Sequence, residues 1–492
     1  MSEQAPVAAP EFPSDLEWIN TTRPLRMVDL RGRFVILDFW TYCCVNCLQL
    51  TSQLRKLERK YADILTVVGI HTPKFIQERQ SANIRVAVRR HRIEHPVAND
   101  HEFAVWRTYG VRAWPTLMVI DPRGDVLGRH EGEATFETLD AFISGLIPIY
   151  RGDGSLKPAR LDITSSPNKV GTGLAFPGKV LITDQGRLFI ADSGHHRIVE
   201  ATLDGEVQRL IGSGIEGDDD GPAHAATFAY PQGLALTDNQ LWIADTENHC
   251  LRVADLGTGR VTTAAGTGVR GYGIDAPTPG LHAELASPWD LAAVGERLFI
   301  ANAGSHQIWM YDIDLGIIAV HAGSGREGLR DGPAAEAWLA QPSGLARRGD
   351  ALLVADSEVS AIRQVGTGTD ATVGTVVGKD LFEFGDVDGE GDAVRLQHAL
   401  GIASGAAGTF VADTFNNKIK TLDVEARRAT TFAGSAEPGY VDGALEDARF
   451  FEPGGLALAD GRLFVADTNN HVIRVIDLNA KQVSTLNLRG LS

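Results

Sequence analysis

The stretch that decides the fold reads Asp38-Phe39-Trp40-Thr41-Tyr42-Cys43-Cys44-Val45-Asn46-Cys47, and it holds three of the four cysteines of the chain. The apolar run Phe34-Val35-Ile36-Leu37 before it predicts a buried strand, and leucines at helical spacing in residues 48–61 predict an amphipathic helix after it. Cys44 and Cys47 therefore form a Cys-x-x-Cys pair where that helix begins. Backbone N–H groups and the positive end of the helix dipole stabilise a thiolate there, as a thiol redox site requires.

This segment resembles the thioredoxin fold residue by residue. Asp38 lies six positions before Cys44, where thioredoxins keep a buried Asp, and the Phe-Trp that follows also matches. Downstream, Trp114-Pro115-Thr116 and the apolar strand after it resemble the segment that carries the family's cis-proline, which makes Pro115 that residue. Cys43 replaces the usual aromatic residue and Val45-Asn46 replaces the usual Gly-Pro, so the redox potential stays open.

The resemblance implies a set of site residues. Cys44 would attack a substrate disulfide as a thiolate, Cys47 would resolve the mixed disulfide, and Asp38 would take the proton of Cys47. Trp114 and Pro115 would border the substrate groove. The supporting residues that it implies are Asp38, Trp40, Cys43, Trp114 and Pro115. No cofactor and no metal are expected.

Length and charge set the outer limits. With 492 residues the chain is too long for one thioredoxin-like domain, and its 43% hydrophobic and 22% charged residues are typical of a globular protein. Residues 1–150 hold 18 basic and 18 acidic side chains, whereas residues 151–492 hold 28 and 45. The net charge of −17 therefore belongs to the second part of the chain. Such acidity argues against nucleic acid as a partner.

The second part of the chain is a repeat array. Six segments of the form Leu-Phe-Ile-Ala-Asp end at Asp192, Asp245, Asn302, Asp356, Asp413 and Asp467, with steps of 53, 57, 54, 57 and 54 residues. Each segment lies among other short strands with no helix between them, which predicts propeller blades. The Asp or Asn ends its strand, and we expect its side chain to accept N–H groups of the turn that follows.

The repeat resembles the NHL repeat, through Ala-Asp-Thr-Glu-Asn-His at residues 244–249 and Ala-Asp-Thr-Asn-Asn-His at residues 466–471. Together the two parts resemble the NHL-repeat-containing thioredoxin-like proteins, the family of NHL repeat-containing protein 2. The predicted fold is an α/β thioredoxin-like domain followed by an all-β six-bladed NHL-type β-propeller. We expect a disordered N-terminus over residues 1–12, the first domain over 13–150, a linker over 151–160 and the propeller over 161–492.

The cysteine content and the apolar pattern indicate a compartment. Four cysteines in 492 residues do not form a disulfide framework, which favours a reducing environment. The N-terminus shows no basic segment followed by an apolar core, and no apolar run reaches the length needed to cross a bilayer. We therefore expect a cytoplasmic protein.

Three functions fit these patterns. The first is a thiol–disulfide oxidoreductase that works with a thiol reductant and whose propeller binds a protein client or partner. The second is a protein-interaction scaffold with a redox-silent thioredoxin fold. The third is a metal-dependent propeller lyase or hydrolase, because His196, His249, His306 and His471 share one repeat position. Ser360 and Asn417 take that position in the other blades, so blade architecture alone also explains the spacing. A zinc site at the Cys-x-x-Cys is disfavoured, since no second ligand pair follows.

Overall fold

The computed structural model describes residues 7–159, 171, 173–274 and 276–491, and the chain divides into two compact units, Met1–Lys169 and Val170–Ser492. The first unit is a mixed sheet with helices. Its strands are β1 (Glu17–Ile19), β2 (Phe34–Trp40), β3 (Leu65–His71), β4 (Val97–Asn99), β5 (Thr116–Ile120) and β6 (Val126–Glu131), and its helices are α1 (Val45–Lys60), α2 (Ser81–Arg90), α3 (Ala104–Thr108) and α4 (Phe136–Gly152). The sheet order is β1-β4-β3-β2-β5-β6. Of the described helices, none is long and apolar enough to cross a bilayer.

Strand β2 is buried along its whole length and divides the core of this unit into two layers. Phe34 and Ile36 pack against leucines of α1, whereas Val35, Leu37 and Phe39 pack on the opposite face. Because side chains alternate along a strand, Asp38 points to the same face as Phe34 and Ile36. The only carboxylate of β2 therefore lies on the face that α1 covers.

The first unit is longer at both ends than its sequence suggests. Ala9 N–H donates to the carbonyl of Gly124 at 2.9 Å, and Phe12 is buried with its ring 5.3 Å from that of Trp18. The expected disordered N-terminus is therefore wrong for residues 7–12, and residues 1–6 lie outside the described residues. The expected linker is also wrong in part, because α4 continues to Gly152 and Leu156 packs in the core. In both cases an apolar side chain reaches the core; residues 160–170 lie outside the described residues.

The second unit is a six-bladed β-propeller. The first blade consists of β7 (Val180–Ile182), β8 (Arg187–Asp192), β9 (Arg197–Thr202) and β10 (Val207–Ile211), and the second of β11 (Gly221–Pro222), β12 (Pro231–Thr237), β13 (Gln240–Asp245), β14 (Cys250–Asp255) and β15 (Arg260–Ala265). The third blade consists of β16 (Thr278–Pro279), β17 (Pro288–Val294), β18 (Arg297–Asn302), β19 (Gln307–Asp312) and β20 (Ile317–Ala322), and the fourth of β21 (Gly332–Pro333), β22 (Pro342–Arg348), β23 (Ala351–Asp356), β24 (Ala361–Gly366) and β25 (Thr372–Val377). The fifth blade consists of β26 (Gly389–Glu390), β27 (Gly401–Gly405), β28 (Gly408–Asp413), β29 (Lys418–Asp423) and β30 (Arg428–Ala433), and the sixth of β31 (Gly443–Ala444), β32 (Pro453–Ala459), β33 (Arg462–Asp467), β34 (Val472–Asp477) and β35 (Gln482–Thr485). Within each blade the four longer strands pair antiparallel in chain order, and in the second to sixth blades the two-residue strand pairs with the last of them. The prediction of a six-bladed propeller is confirmed.

Apolar side chains join each blade to both of its neighbours. Phe299 of the third blade packs with Leu352 of the fourth, and the last such cluster joins Leu188 of the first blade to Phe464 of the sixth. The segment after β35 also pairs with the first blade, since Arg489 N–H donates to the carbonyl of Gly205 at 2.7 Å. The ring is therefore closed, and each blade depends on its neighbours for burial.

The Asp or Asn that ends the second long strand of each blade is fully buried, but its partners are not those expected. Asp467 Oδ1 accepts from the N–H of Phe451 at 2.8 Å, sixteen residues upstream, and Asp245 Oδ1 accepts in the same way from Ala229 at 2.7 Å. The expected bond to a backbone N–H of the following turn is missing at Asp467, although its Oδ2 accepts from the side-chain amide of Asn470 in that turn at 2.9 Å. These side chains therefore also hold the loop that leads into their own blade.

A buried cation pairs with this carboxylate in four blades. The cations are Arg252, Arg363, Lys420 and Arg474, each seven residues after its Asp and fully buried. The third blade has Asn302 at the carboxylate position and the apolar Trp309 at the cation position. A neutral amide thus replaces the charge where no cation faces it, as expected if burial of an unpaired charge is costly.

The shared histidine position links neighbouring blades. His196, His249, His306 and His471 all have left-handed backbone, with φ from 52° to 60°. Each Nδ1 accepts a backbone N–H from the loop of the adjacent blade, at 3.0 to 3.2 Å. The side-chain oxygens of Ser360 and Asn417 accept the equivalent N–H in the other two blades, at 3.1 and 3.0 Å. This common hydrogen bond explains why His, Ser and Asn alternate at the position.

A lysine crosses the middle of the ring. Lys179, beside β7 of the first blade, donates to the carbonyl groups of Ser343 in the fourth blade and of Leu400, beside the fifth blade's β27. Its Nζ also lies 3.4 Å from Oδ2 of Asp290 in the third blade. The side chains of this ion pair are 6% and 11% exposed, so the inner strands meet around a buried pair.

Candidate redox site

Strand β2 and helix α1 place the cysteine pair. Cys44 caps α1, and its Sγ accepts the N–H of Cys47 at 3.2 Å. The two Sγ atoms lie 2.7 Å apart, and both cysteines are free thiols. The predicted position of the pair at a helix N-terminus is confirmed.

The two thiols differ in their surroundings. Cys47 is fully buried, whereas 5% of Cys44 is exposed at the start of the helix. Burial raises the pKa of the Cys47 thiol well above its usual value, and its hydrogen bond to Cys44 adds to the effect. Cys47 therefore stays protonated at neutral pH and needs a base before it can attack.

Asp38 supplies a carboxylate on the same side of the sheet. It is 1% exposed, and its Oδ1 has no hydrogen-bond partner among the described residues. Burial raises the pKa of Asp38 to about 7, a positive charge on His95 opposes this rise, and Asp38 in turn raises the pKa of Cys47. A carboxyl group with a pKa near neutrality can take a proton and release it again.

The segment Trp114-Pro115-Thr116 lies next to the end of β2. The peptide bond before Pro115 is cis, as predicted. Thr116 pairs with Phe39 across the sheet, and the ring of Trp114 lies 4.5 Å from that of Trp106. That Pro115 and Trp114 border a substrate groove stays a prediction.

The other two predicted supporting residues are buried beside the cysteine pair. Trp40 is fully buried, and its ring meets the edge of the His71 ring at 5.0 Å. Cys43 is 2% exposed, and its Sγ lies 3.9 Å from Oγ1 of Thr41. Both side chains are therefore packed in the interior of the first unit.

A buried glutamate that the sequence analysis did not single out binds the turn between β2 and α1, residues 41–44, here called the cysteine turn. Glu78 Oε1 accepts from Thr41 Oγ1 at 2.6 Å and from the N–H of Cys43 at 2.9 Å, while Oε2 accepts the N–H groups of Lys74 and Phe75 at 2.8 and 2.9 Å. Glu78 is fully buried, so burial raises its pKa, although these hydrogen bonds oppose the rise. One carboxylate therefore ties two loops together at the site.

We expect Glu78→Gln to destabilise the first unit by about 1–3 kcal/mol. The amide NH2 of glutamine is a donor, and it would face groups that donate to a carboxylate oxygen in the wild-type protein. Thermal or urea unfolding measures the change. Glu102→Gln is the matched control, since that side chain is 76% exposed and should change stability by less than about 0.5 kcal/mol. Equal effects of the two substitutions would contradict the proposed role of Glu78.

Comparison with family models locates both units in known families. Residues 32–126 match the model described as thioredoxin-like, and residues 228–254 match the NHL repeat. The first of these ranges contains every predicted site residue.

Curated relatives cover the whole chain. It is 42% identical over 514 residues to Protein SUPPRESSOR OF QUENCHING 1, chloroplastic, of Arabidopsis thaliana, which covers 100% of this chain and 49% of that protein. It is 39% identical over 520 residues to human NHL repeat-containing protein 2, which covers 98% of this chain and 71% of the human protein. The chain thus spans about half the length of the plant relative.

A third relative is similar to the first unit alone. Thiol-disulfide oxidoreductase ResA of Bacillus cereus is 28% identical over 141 residues, which is 28% of this chain and 77% of that protein. The similarity therefore covers the part of the chain that carries the cysteine pair.

Proposed function

Because the chain belongs to the family of NHL repeat-containing protein 2, we propose that it is a thiol–disulfide oxidoreductase whose propeller binds the protein client or partner. The observation that carries the proposal is the pair of free thiols at the N-terminus of α1, with Sγ atoms 2.7 Å apart and the buried Asp38 on the same face. The thiol–disulfide oxidoreductase activity for which the ResA relative is named supports the same function for the first unit.

The reaction proceeds in two exchange steps. The thiolate of Cys44 attacks a client disulfide, so an S–S bond forms to Cys44 and one client thiolate leaves. Cys47 then transfers its proton to Asp38 and attacks Cys44, which forms the Cys44–Cys47 disulfide and releases the second client thiolate. The client disulfide is reduced, the cysteine pair is oxidised, and a thiol reductant restores the pair.

The propeller fits a protein-interaction role. Four of its inter-blade loops present large apolar side chains that are more than half exposed: Ile215, Val269 with Tyr272, Phe382 and Tyr440. All four loops follow the outer strand of a blade, so the repeat places them at equivalent positions. Contact with a protein partner would remove these apolar side chains from water, which is favourable. We propose that these loops, here called the loop ring, contact the client or partner.

One observation favours the redox-silent scaffold as a second candidate. Cys44 is only 5% exposed, so a client must approach a nearly closed site. In that case the loop ring would bind a partner without thiol exchange. The cytoplasmic location stays a prediction in either case.

Reduction of insulin by dithiothreitol, followed by client trapping, tests both proposals. The full chain should accelerate insulin precipitation, and Cys47→Ser should capture clients as mixed disulfides on Cys44. Adding Tyr272→Ala, Phe382→Ala and Tyr440→Ala to the trapping variant should reduce capture while insulin reduction by the otherwise unchanged chain persists. Absence of both insulin reduction and capture would leave the scaffold as the function.

A further inference from the structure

The ring of His95 lies beside Asp38, although the two residues are far apart in the sequence. The register of the parallel strands β2 and β3 pairs Asp38 with Gly69, and Gly69 pairs in turn with Val97 of β4. A Cβ atom built on Gly69 would lie 2.9 Å from Nε1 of Trp40 and 3.3 Å from Nε2 of His95. Paired residues on adjacent strands direct their side chains to the same face. His95 and Trp40 therefore share the space over Gly69, on the face of the sheet that carries Asp38.

The hydrogen bond of His95 leaves one ring nitrogen directed into this space. Nδ1 lies 3.2 Å from Oε2 of Glu58, a side chain of α1 that is 24% exposed. Since Glu58 is a carboxylate, Nδ1 carries the proton in the neutral ring and Nε2 keeps its lone pair. Nε2 is buried and has no hydrogen-bond partner among the described residues, which is also true of Asp38 Oδ1.

The charges around His95 support proton exchange with Asp38. Burial lowers the pKa of His95, but Glu58 and Asp38 outweigh burial and raise it above its usual value, against a smaller opposing effect of Arg55. The reciprocal effect is present, because a charge on His95 lowers the pKa of Asp38 against burial, while Glu58 raises it. The ionisable groups that face this pair are therefore Glu58, Arg55 and Cys47, all on α1.

We propose that His95 is a positioning residue that relays the proton of Asp38 to Glu58 and so to solvent. The inference rests on the proposed function for its first step, in which the Cys47 S–H bond breaks and Asp38 binds the proton. Asp38 then gives this proton to Nε2 of His95, and Nδ1–H of His95 gives its proton to Oε2 of Glu58. Asp38 returns to its carboxylate form, and no oxidant or reductant is consumed in the relay.

Histidine titration by NMR tests the relay independently of activity. In the full chain labelled with 15N-histidine, Asp38→Asn and Glu58→Gln should each lower the pKa of His95 by about one unit, because each removes a neighbouring opposite charge. Glu94→Gln is the matched control, since that carboxylate is next to His95 in the chain but exposed, and it should leave the titration unchanged. The His95 signal is the one that His95→Gln removes or, if that variant does not fold, the one that Glu58→Gln shifts.

The pH dependence of insulin reduction gives the second readout. Without the positive charge of His95 the pKa of Asp38 rises, so His95→Gln should move the acid limb of the rate profile upward by about one pH unit. His91→Gln, which removes another buried histidine of the same segment, should not move this limb. The relay would be overturned if Asp38→Asn left the pKa of His95 unchanged. It would also be overturned if His95→Gln lowered the rate of insulin reduction equally at every pH. An inactive wild type would reject the proposed function, while the NMR result would still decide the coupling.

Discussion

Cys44→Ser should lower the rate of insulin reduction to that of dithiothreitol alone, whereas Cys43→Ser should keep most of the activity. The reason is the position of the two sulfurs. Cys44 Sγ caps α1 and lies 2.7 Å from Cys47 Sγ, whereas Cys43 Sγ is directed to Thr41 Oγ1 at 3.9 Å. Serine cannot form the mixed disulfide, so no residual exchange through position 44 is expected.

Alkylation of the reduced protein at neutral pH supplies the check on these roles. Cys44 should react before Cys47, because Cys47 is fully buried and burial raises the pKa of its thiol. Mass spectrometry of the labelled peptide distinguishes the three adjacent sites. If Cys43→Ser abolished activity and Cys44→Ser preserved it, the nucleophile would have to be moved to Cys43.

Asp467→Ala should lower the free energy of unfolding of the propeller by about 3 kcal/mol, because the buried guanidinium of Arg474 loses its buried partner and keeps only the part-exposed carboxylate of Asp442. Arg474 Nη1 lies 2.9 Å from Asp467 Oδ2, and both side chains are fully buried. The N–H of Phe451, which donates to Oδ1, also loses its acceptor. Burial raises the pKa of Asp467 to about 6, so its carboxylate depends on these partners.

The third blade offers the matched control. Asn302→Ala removes the equivalent bond to the N–H of Ala286 but breaks no ion pair, so we expect a cost of about 1–2 kcal/mol. Combining Asp467→Asn with Arg474→Met should recover part of the loss, because replacing a buried ion pair with apolar groups is often neutral. Insulin reduction by the folded fraction should stay near wild type in all three variants. Lost activity with unchanged stability would mark the ring of Asp and Asn as a chemical site.

The sequence by itself determined the two folds and the identity of the cysteine site. Local patterns were sufficient there, because a strand, a Cys-x-x-Cys pair and a helix follow one another within 27 residues, from Phe34 to Lys60. The repeats predicted the propeller for the same reason, since the strands of each blade follow one another in the sequence. The cis bond before Pro115 was also predicted correctly, through the resemblance to thioredoxins.

The tertiary structure alone decided which distant side chains meet. Glu78 reaches the cysteine turn from 35 positions away. His95 comes to the face that carries Asp38 because β4 lies two strands from β2 and Gly69, on the strand between them, has no side chain. No periodicity records such contacts. The carboxylate of Asp467 likewise accepts a backbone N–H from a loop sixteen residues upstream, and from its own turn it accepts only the side-chain amide of Asn470. Burial explains these differences, since a polar group removed from water takes whichever partner the packed chain brings to it.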